Sequence, residues 1–91
     1  MKIALKKELR KTILIKLYKE TDGNEEMQLD VDSFITNIQN CFSGQVSSFE
    51  VKIQLHFLWY RELLDYGSKF IHMLDKGIVK CEEEYENLID G

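Results

Sequence analysis

The sequence predicts an α+β domain that is mostly helical, with a three-helix core, a short β-hairpin and an extra C-terminal helix. Two neighbouring stretches lead to this prediction. Residues 47–62 combine a helix-capping signal with apolar residues at helical spacing. Residues 63–74 then form two β-prone runs on either side of Gly67-Ser68. Gly followed by Ser is typical of a two-residue hairpin turn, because Gly tolerates the positive φ that such a turn requires.

Length and composition predict a single domain that spans residues 1–91. The chain is 44% hydrophobic and 31% charged, an ordinary balance for a globular protein. No apolar run approaches the roughly 18 residues of a membrane-spanning helix, and residues 1–11 lack the apolar core of a secretory signal. Cys41 and Cys81 lie far apart in unlike contexts, which favours free, buried thiols over a disulfide. We therefore expect a cytoplasmic protein without a membrane span.

Charge is distributed unevenly along the chain. The net charge is −4, yet residues 1–19 carry seven Lys or Arg against the single acid Glu8. The other residues carry five basic and fifteen acidic side chains. The basic segment is interpreted either as a solvated helix face or as a patch for a phosphate backbone or an acidic partner.

The first helix is predicted from Ile3 to about Glu20. Apolar residues recur at every fourth position along its buried side: Leu5, Leu9, Ile13 and Leu17. Residues 12–18 also alternate as a strand would, but the uninterrupted four-residue step favours a helix. Residues 21–24 read Thr-Asp-Gly-Asn and end the helix, since Gly and Asn accept the left-handed conformation of a C-cap.

A short strand and a second helix are predicted next. Residues 27–31 could form a strand that covers the edge of the hairpin. The second helix begins with Asp30 or Asp32 as its N-cap and runs to about Cys41. Its buried face comprises Phe34, Ile35, Ile38 and either Cys41 or Phe42. Residues 43–46 form the turn into the third helix.

The third helix has two apolar sides. Ser47 and Glu50 have the Ser-x-x-Glu spacing of a capping box. The side expected to face the core consists of Val51, Leu55 and Leu58. The opposite side consists of Phe49, Ile53, Phe57 and Tyr60. This opposite side could be covered by the terminal helices, bind a partner or second subunit, or stack on nucleic acid.

A fourth helix is predicted from Asp75 to the end of the chain. Its apolar stripe consists of Ile78, Cys81, Tyr85 and Leu88. The three acids of residues 82–84 are consecutive and are expected to face solvent. No repeat, linker or low-complexity segment indicates a second domain.

The junction around Gly77 resembles that of winged helix-turn-helix domains in small phage and bacterial transcriptional regulators. Residues 73–78 read Met-Leu-Asp-Lys-Gly-Ile. In those regulators the wing strand ends in Leu-Thr, followed by a polar residue, Lys-Gly and a final helix. Residues 51–64 likewise resemble their recognition helix, which ends in Leu, a short polar step and Gly-Leu-Ile. Leu74 stands where those proteins usually carry Thr, and Glu62 stands where they usually carry Gly.

The resemblance implies a winged-helix transcriptional regulator, which we expect to form a homodimer and to bind duplex DNA. In this fold the second helix of the helix-turn-helix enters the major groove, and the wing contacts the adjacent backbone. Carried onto this chain, the candidate DNA contacts are Gln45, Ser47, Ser48, Lys52 and His56 on the helix, and Ser68 and Lys69 on the wing.

The alternative is a winged-helix-like interaction module that binds a protein and not DNA, as a mobile-element antirepressor or host-factor inhibitor does. Its interface would be the side formed by Phe49, Ile53, Phe57 and Tyr60. Three aromatic residues and an isoleucine are more typical of a protein-binding surface than of a DNA-reading helix. The acidity of the chain as a whole also favours this alternative.

Other chemistry is not indicated by the sequence. The potential zinc ligands lack the short spacing of structural zinc sites; they are Cys41, His56, His72 and Cys81. No Gly-rich phosphate loop or nucleophile motif occurs, and a domain of this size is not expected to hold a deep pocket. The sequence therefore predicts neither an enzyme, nor a metal site, nor a cofactor.

Overall fold

The computed structural model describes residues 1–90, which form five helices around a three-stranded antiparallel sheet. The elements in chain order are α1 Ile3–Thr21, β1 Leu29–Asp30, α2 Val31–Cys41, α3 Ser48–Tyr60, β2 Leu64–Tyr66, β3 Phe70–Met73, α4 Asp75–Glu84 and α5 Glu86–Asp90. The prediction of a mostly helical α+β fold is confirmed. One more helix is present than the four that the sequence predicted.

Helix α1 is continuous, so the strand alternative for residues 12–18 is wrong. Its buried residues are Leu9, Ile13, Leu14, Leu17 and Thr21. Leu5 remains 38% exposed, because the first turns of α1 extend beyond the core. The helix ends at Asp22 and Gly23, which have φ values of 53° and 67°. The positive φ at Gly23 favours glycine, and a Cβ there would lie 2.8 Å from the end of the Tyr18 ring, which would have to shift.

Helix α2 begins at the first of the two predicted caps. The Asp30 carboxylate accepts a hydrogen bond of 2.8 Å from the Ser33 amide, which holds the pKa of Asp30 below its usual value. The buried residues are Val31, Phe34, Ile35 and Ile38. Of the two alternatives at the end of this face, Cys41 is exposed and Phe42 packs against the core.

The sheet has the order β1-β3-β2. The predicted edge strand is confirmed as β1, in which Leu29 pairs with Ile71. The hairpin is also confirmed, but its turn is not centred on Gly67-Ser68. Tyr66 pairs with Ile71 and the Gly67 amide donates to the Phe70 carbonyl at 2.9 Å, so Ser68 and Lys69 are the central turn residues.

Gly67 does not adopt the positive φ on which the predicted turn depended; the glycines with positive φ in residues 1–90 are Gly23 and Gly44. The observed register pairs two core residues. Leu64 pairs with Met73, and both side chains are fully buried. A shift by one residue would move such side chains to the other face of the sheet.

Helix α3 has the predicted capping box. The Ser47 Oγ accepts from the Glu50 amide at 3.0 Å, and the Glu50 carboxylate accepts from the Ser47 amide at 2.9 Å. The predicted core residues Val51, Leu55 and Leu58 are buried. Gln54 is also buried, which the apolar pattern did not predict.

The predicted C-terminal helix is divided at Tyr85, whose φ of −124° ends α4. Cys81 is buried, and burial raises the pKa of its thiol to about 11. Leu88 is exposed, so the predicted apolar stripe does not reach α5. Glu82 does not merely face solvent, because it accepts a hydrogen bond of 2.5 Å from the Tyr18 hydroxyl.

Gly77 allows α4 to pack closely against the segment that leads into β2. A Cβ at this position would lie 2.0 Å from the Leu63 carbonyl oxygen. That oxygen also accepts a hydrogen bond of 3.2 Å from the Leu74 amide, which fixes its direction. The described residues contain two free cysteines, as predicted, but only Cys81 is buried; the predicted burial of Cys41 is wrong, because this residue lies on the exposed side of the last turn of α2. None of the helices in residues 1–90 is both long and apolar enough to cross a membrane.

Candidate interaction surface

The outer side of α3 faces solvent. Phe49 is 68% exposed, Ile53 46% and Tyr60 78%. These three residues are called the outer stripe below. The interpretation in which the terminal helices cover this side is therefore wrong for the outer stripe. The fourth predicted interface residue, Phe57, is half-buried because α1 packs along this edge of α3.

The remaining outer residues of α3 include few charges. Lys52 is exposed and is the only basic residue between Ser48 and Tyr60. His56 and Trp59 stack with ring centroids 5.2 Å apart. A face of this composition offers mostly aromatic and aliphatic atoms to a partner.

All seven predicted DNA contacts are exposed. They are Gln45, Ser47, Ser48, Lys52, His56, Ser68 and Lys69. The hydroxyl of Ser47 accepts the capping hydrogen bond of α3, so this oxygen already has a partner. Ser68 and Lys69 lie at the centre of the hairpin turn.

Arg10 connects α1 to the half-buried edge of α3. Its Nε donates a hydrogen bond of 2.7 Å to the Oε1 of Gln54, which is only 3% exposed. Its guanidinium carbon lies 3.6 Å from the centroid of the Phe57 ring, within the range of a cation–π contact. Arg10 thus supplies a hydrogen-bond partner that a buried amide requires.

Arg61 contacts the same ring from the end of α3. Its guanidinium carbon lies 4.5 Å from the Phe57 centroid. Both distances are measured to the centroid of the Phe57 ring, so the guanidinium carbons of Arg10 and Arg61 are at most about 8 Å apart. Within the described part of the chain, no carboxylate lies within 4.0 Å of either guanidinium. Arg10, Phe57 and Arg61 are called the arginine cluster below.

An open groove of about 570 Å³ lies beside the arginine cluster, where α1, the end of α3 and α4 meet. Five basic side chains and one acidic side chain line it: Lys7, Arg10, Lys11, Arg61 and Lys80, with Glu8. Its apolar lining is Ala4, Leu14, Phe57, Leu58, Leu63 and Tyr85. The sequence did not predict this groove.

Two of the basic groups in this groove have acidic partners. The Lys80 ammonium donates to both Glu84 carboxylate oxygens at 2.9 and 3.1 Å, which raises the pKa of Lys80. Lys11 lies 3.9 Å from Glu8. Burial raises the pKa of Tyr85 above a usual value that already leaves its hydroxyl uncharged at neutral pH, so this wall of the groove is neutral. The uncompensated positive charge therefore belongs to the arginine cluster and Lys7.

The groove and the outer stripe adjoin each other. A second depression of about 340 Å³ lies on the other side of Arg10 and reaches Phe49 and Ile53. Arg10 and Phe57 line both concavities. The surface thus combines exposed apolar residues with a basic border.

The potential metal ligands do not come together. Residues 1–90 contain no group of three or more His, Cys, Asp or Glu side chains that could hold a metal ion. The Nδ1 of His72 lies 3.1 Å from the Glu25 and Met73 carbonyl oxygens, and its Nε2 lies 3.7 Å from Asp65. His72 thus takes part in contacts around β3.

Comparisons with protein families, with curated proteins and with solved structures found no match for this chain.

Proposed function

We propose that this chain is a winged-helix protein that binds an acidic segment of another protein through the outer stripe. The order of the elements supports the winged-helix assignment: three helices, a short strand after the first, and a hairpin after the third. The pairing of β1 with β3 of the hairpin supports it as well. The hairpin is then the wing, and α3 takes the place of the recognition helix.

The exposure of the outer stripe is the observation that carries this proposal. In a DNA-reading helix this side presents polar and basic groups to base edges and phosphates. Here its centre consists of Phe49, Ile53 and Tyr60. Full burial of an exposed apolar side chain contributes roughly 1.5–3 kcal/mol, and the exposed fractions of these three residues make part of that available to an interface. A contiguous group of this kind is typical of the core of a protein interface.

The charges around the stripe favour an acidic partner. Lys6, Arg10, Lys52 and Arg61 border it, with Glu50 as the acid in the adjoining depression. In a symmetric dimer the same patch faces its own copy, which would bring two basic borders together. A partner with apolar anchors flanked by Asp or Glu satisfies both parts of the surface.

A designed peptide pair tests this proposal. One helical peptide carries Leu at i, i+3, i+4 and i+7 with Glu elsewhere, and the other carries Lys in place of Glu. We expect the acidic peptide to bind, with an affinity that falls as salt rises, and the basic peptide not to bind. Fluorescence anisotropy with labelled peptides measures both.

Two variants make the peptide test specific. Ile53→Asp should abolish binding of the acidic peptide, whereas Val79→Asp should leave it unchanged, because Val79 is an exposed apolar residue of α4 outside the stripe. Equal binding of both peptides, or equal loss in both variants, would contradict the proposal.

Sedimentation of the unmodified chain examines the dimer that the sequence led us to expect.

Duplex DNA is the second candidate partner, favoured by the exposure of all seven predicted contacts. Lys52→Ala and Lys69→Ala should each weaken DNA binding and reduce its salt dependence, because each removes a group that neutralises phosphate. Lys19→Ala, in the last turn of α1, serves as the control. DNA affinity that ignores salt and survives both substitutions would exclude docking of α3 in the groove.

A further inference from the structure

The groove between α1, the end of α3 and α4 has an excess of positive charge that the chain does not balance. Within residues 1–90, neither arginine of the cluster has a carboxylate partner, and the same is true of Lys7. The two guanidinium groups nevertheless contact one ring. Two like charges at this separation repel each other, and a bound anion would remove that repulsion.

One guanidinium of the arginine cluster, that of Arg10, is held in place with donors left for an oxyanion. The hydrogen bond to Gln54 uses the Nε of Arg10 and fixes the plane of its guanidinium, leaving its terminal N–H groups free to donate. Such planar donors match the oxygens of a phosphoryl group in pairs. Because Arg10 is fixed before binding, little side-chain freedom is lost when an anion arrives.

The other walls of the groove are apolar. Leu14 and Leu58 form its buried lining, and Leu63 and Tyr85 are partly buried beside them. The volume of about 570 Å³ falls within the range of sites for small organic ligands. A ligand that fills the groove would need a charged end and an apolar body.

We propose that this groove binds a small organic phosphate ester whose phosphoryl group contacts Arg10 and Arg61. Lys7 adds a third positive charge for the phosphoryl oxygens, and Leu63 and Tyr85 contact the apolar or aromatic body of the ligand. This site shares Arg10 and Arg61 with the basic border of the proposed partner surface, but it does not use the outer stripe of Phe49, Ile53 and Tyr60.

Titration with three simple compounds tests the site by NMR, in a buffer without phosphate and at constant ionic strength. The compounds are phenyl phosphate, inorganic phosphate and benzoate. We expect saturable shifts of the Arg10 and Arg61 Nε–H signals and of the Tyr85 amide with phenyl phosphate. Phenyl phosphate should bind at least about tenfold more tightly than inorganic phosphate, since only the ester reaches the apolar walls.

Two variants separate specific binding from general attraction. Arg61→Lys keeps the charge but loses the planar donors, and should weaken phenyl phosphate binding at least about fivefold. Lys19→Ala removes a positive charge outside the groove and should leave the affinity unchanged. Arg61 is exposed at the C-cap of α3, so its substitution is not expected to unfold the chain. A thermal melt of each variant verifies folding.

Several results would overturn the proposal. Equal affinity for inorganic phosphate and phenyl phosphate would mean that the apolar walls take no part. Benzoate binding as tightly as phenyl phosphate would overturn the phosphoryl assignment. Non-saturable shifts, or the same loss in Lys19→Ala as in Arg61→Lys, would reduce the groove to a general basic patch.

Discussion

Gly77→Ala provides a sharp test of the packing between α4 and the segment before β2, because two physical effects predict opposite outcomes. Ala is a better helix former than Gly by about 1 kcal/mol, so propensity alone predicts a more stable protein. The new Cβ, however, would lie 2.0 Å from the Leu63 carbonyl oxygen, where ordinary contacts are 3.4–4 Å. Helix α4 would therefore have to move by more than about 1 Å.

The expected net effect of Gly77→Ala is destabilising. Overpacking typically costs about 1–3 kcal/mol, and the upper end applies here because backbone atoms and not a flexible side chain block the new methyl group. The Leu74 amide also holds the Leu63 oxygen in place. The gain of about 1 kcal/mol in helix propensity offsets part of this cost, so the free energy of unfolding should fall by about 2 kcal/mol. For a domain of this size Tm should fall by about 8–16 °C.

Two other glycines serve as controls in the same thermal and urea melts. A Cβ at Gly67 meets nothing within 4 Å, and its φ is not positive, so Gly67→Ala should be neutral or stabilise by about 0.5 kcal/mol. Gly44 also has open space but a φ of 73°, so Gly44→Ala should cost about 1 kcal/mol through backbone strain. An unchanged or higher Tm for Gly77→Ala would refute the close approach of α4.

Three further outcomes are expected. Ile53→Asp should keep a cooperative melt, because Ile53 is exposed. Leu55→Asp should unfold the chain, because an unpaired buried charge costs several kcal/mol. Unfolding of Ile53→Asp would place Ile53 in the core. The hydrogen bond to Glu82 raises the pKa of Tyr18 to about 12, so the folded chain keeps a proton that the unfolded chain loses near pH 10. The stability of the fold should therefore decline between about pH 10 and 12. Glu82→Gln should flatten that decline in thermal melts across this pH range. Ser47→Ala should lower the urea-derived free energy of unfolding by about 1 kcal/mol, and no loss would mean that the capping box contributes little.

Local signals account for the elements that were predicted correctly. A capping box depends on residues three apart, so Ser47 and Glu50 locate the start of α3 without knowledge of the rest of the chain. The Asp30 cap and the bounds of α1 follow from equally short patterns. These predictions needed only the helix period and the chemistry of helix ends.

Tertiary packing decides the features that were predicted wrongly. The hairpin turn lies one residue later than expected, in a register that pairs the buried residues Leu64 and Met73, and the Gly67-Ser68 dipeptide does not mark its centre. The C-terminal helix is divided because Tyr85 packs against the core while its backbone leaves the helical conformation. Glutamates on both sides of Tyr85 are good helix formers, so propensity gave no sign of this break.

The candidate site was predictable only in part. The helix period grouped the outer-stripe residues with Phe57 on one side of α3, but it could not show which neighbours cover them. Arg10 and Phe57 lie far apart in the sequence, and no local spacing indicates that they stack. The spacing of four residues between Phe57 and Arg61 was the one available signal for the arginine cluster.

The short outer strands limit how this chain can self-associate. Strand β3 is paired on both sides, and the two outer strands are β1 with two residues and β2 with three. Each includes an aspartate, Asp30 in β1 and Asp65 in β2. Edges that are short and charged are poor templates for strand addition and for amyloid growth. Unwanted aggregation of the folded domain should therefore begin at helical side chains, and substitutions there should improve its solubility.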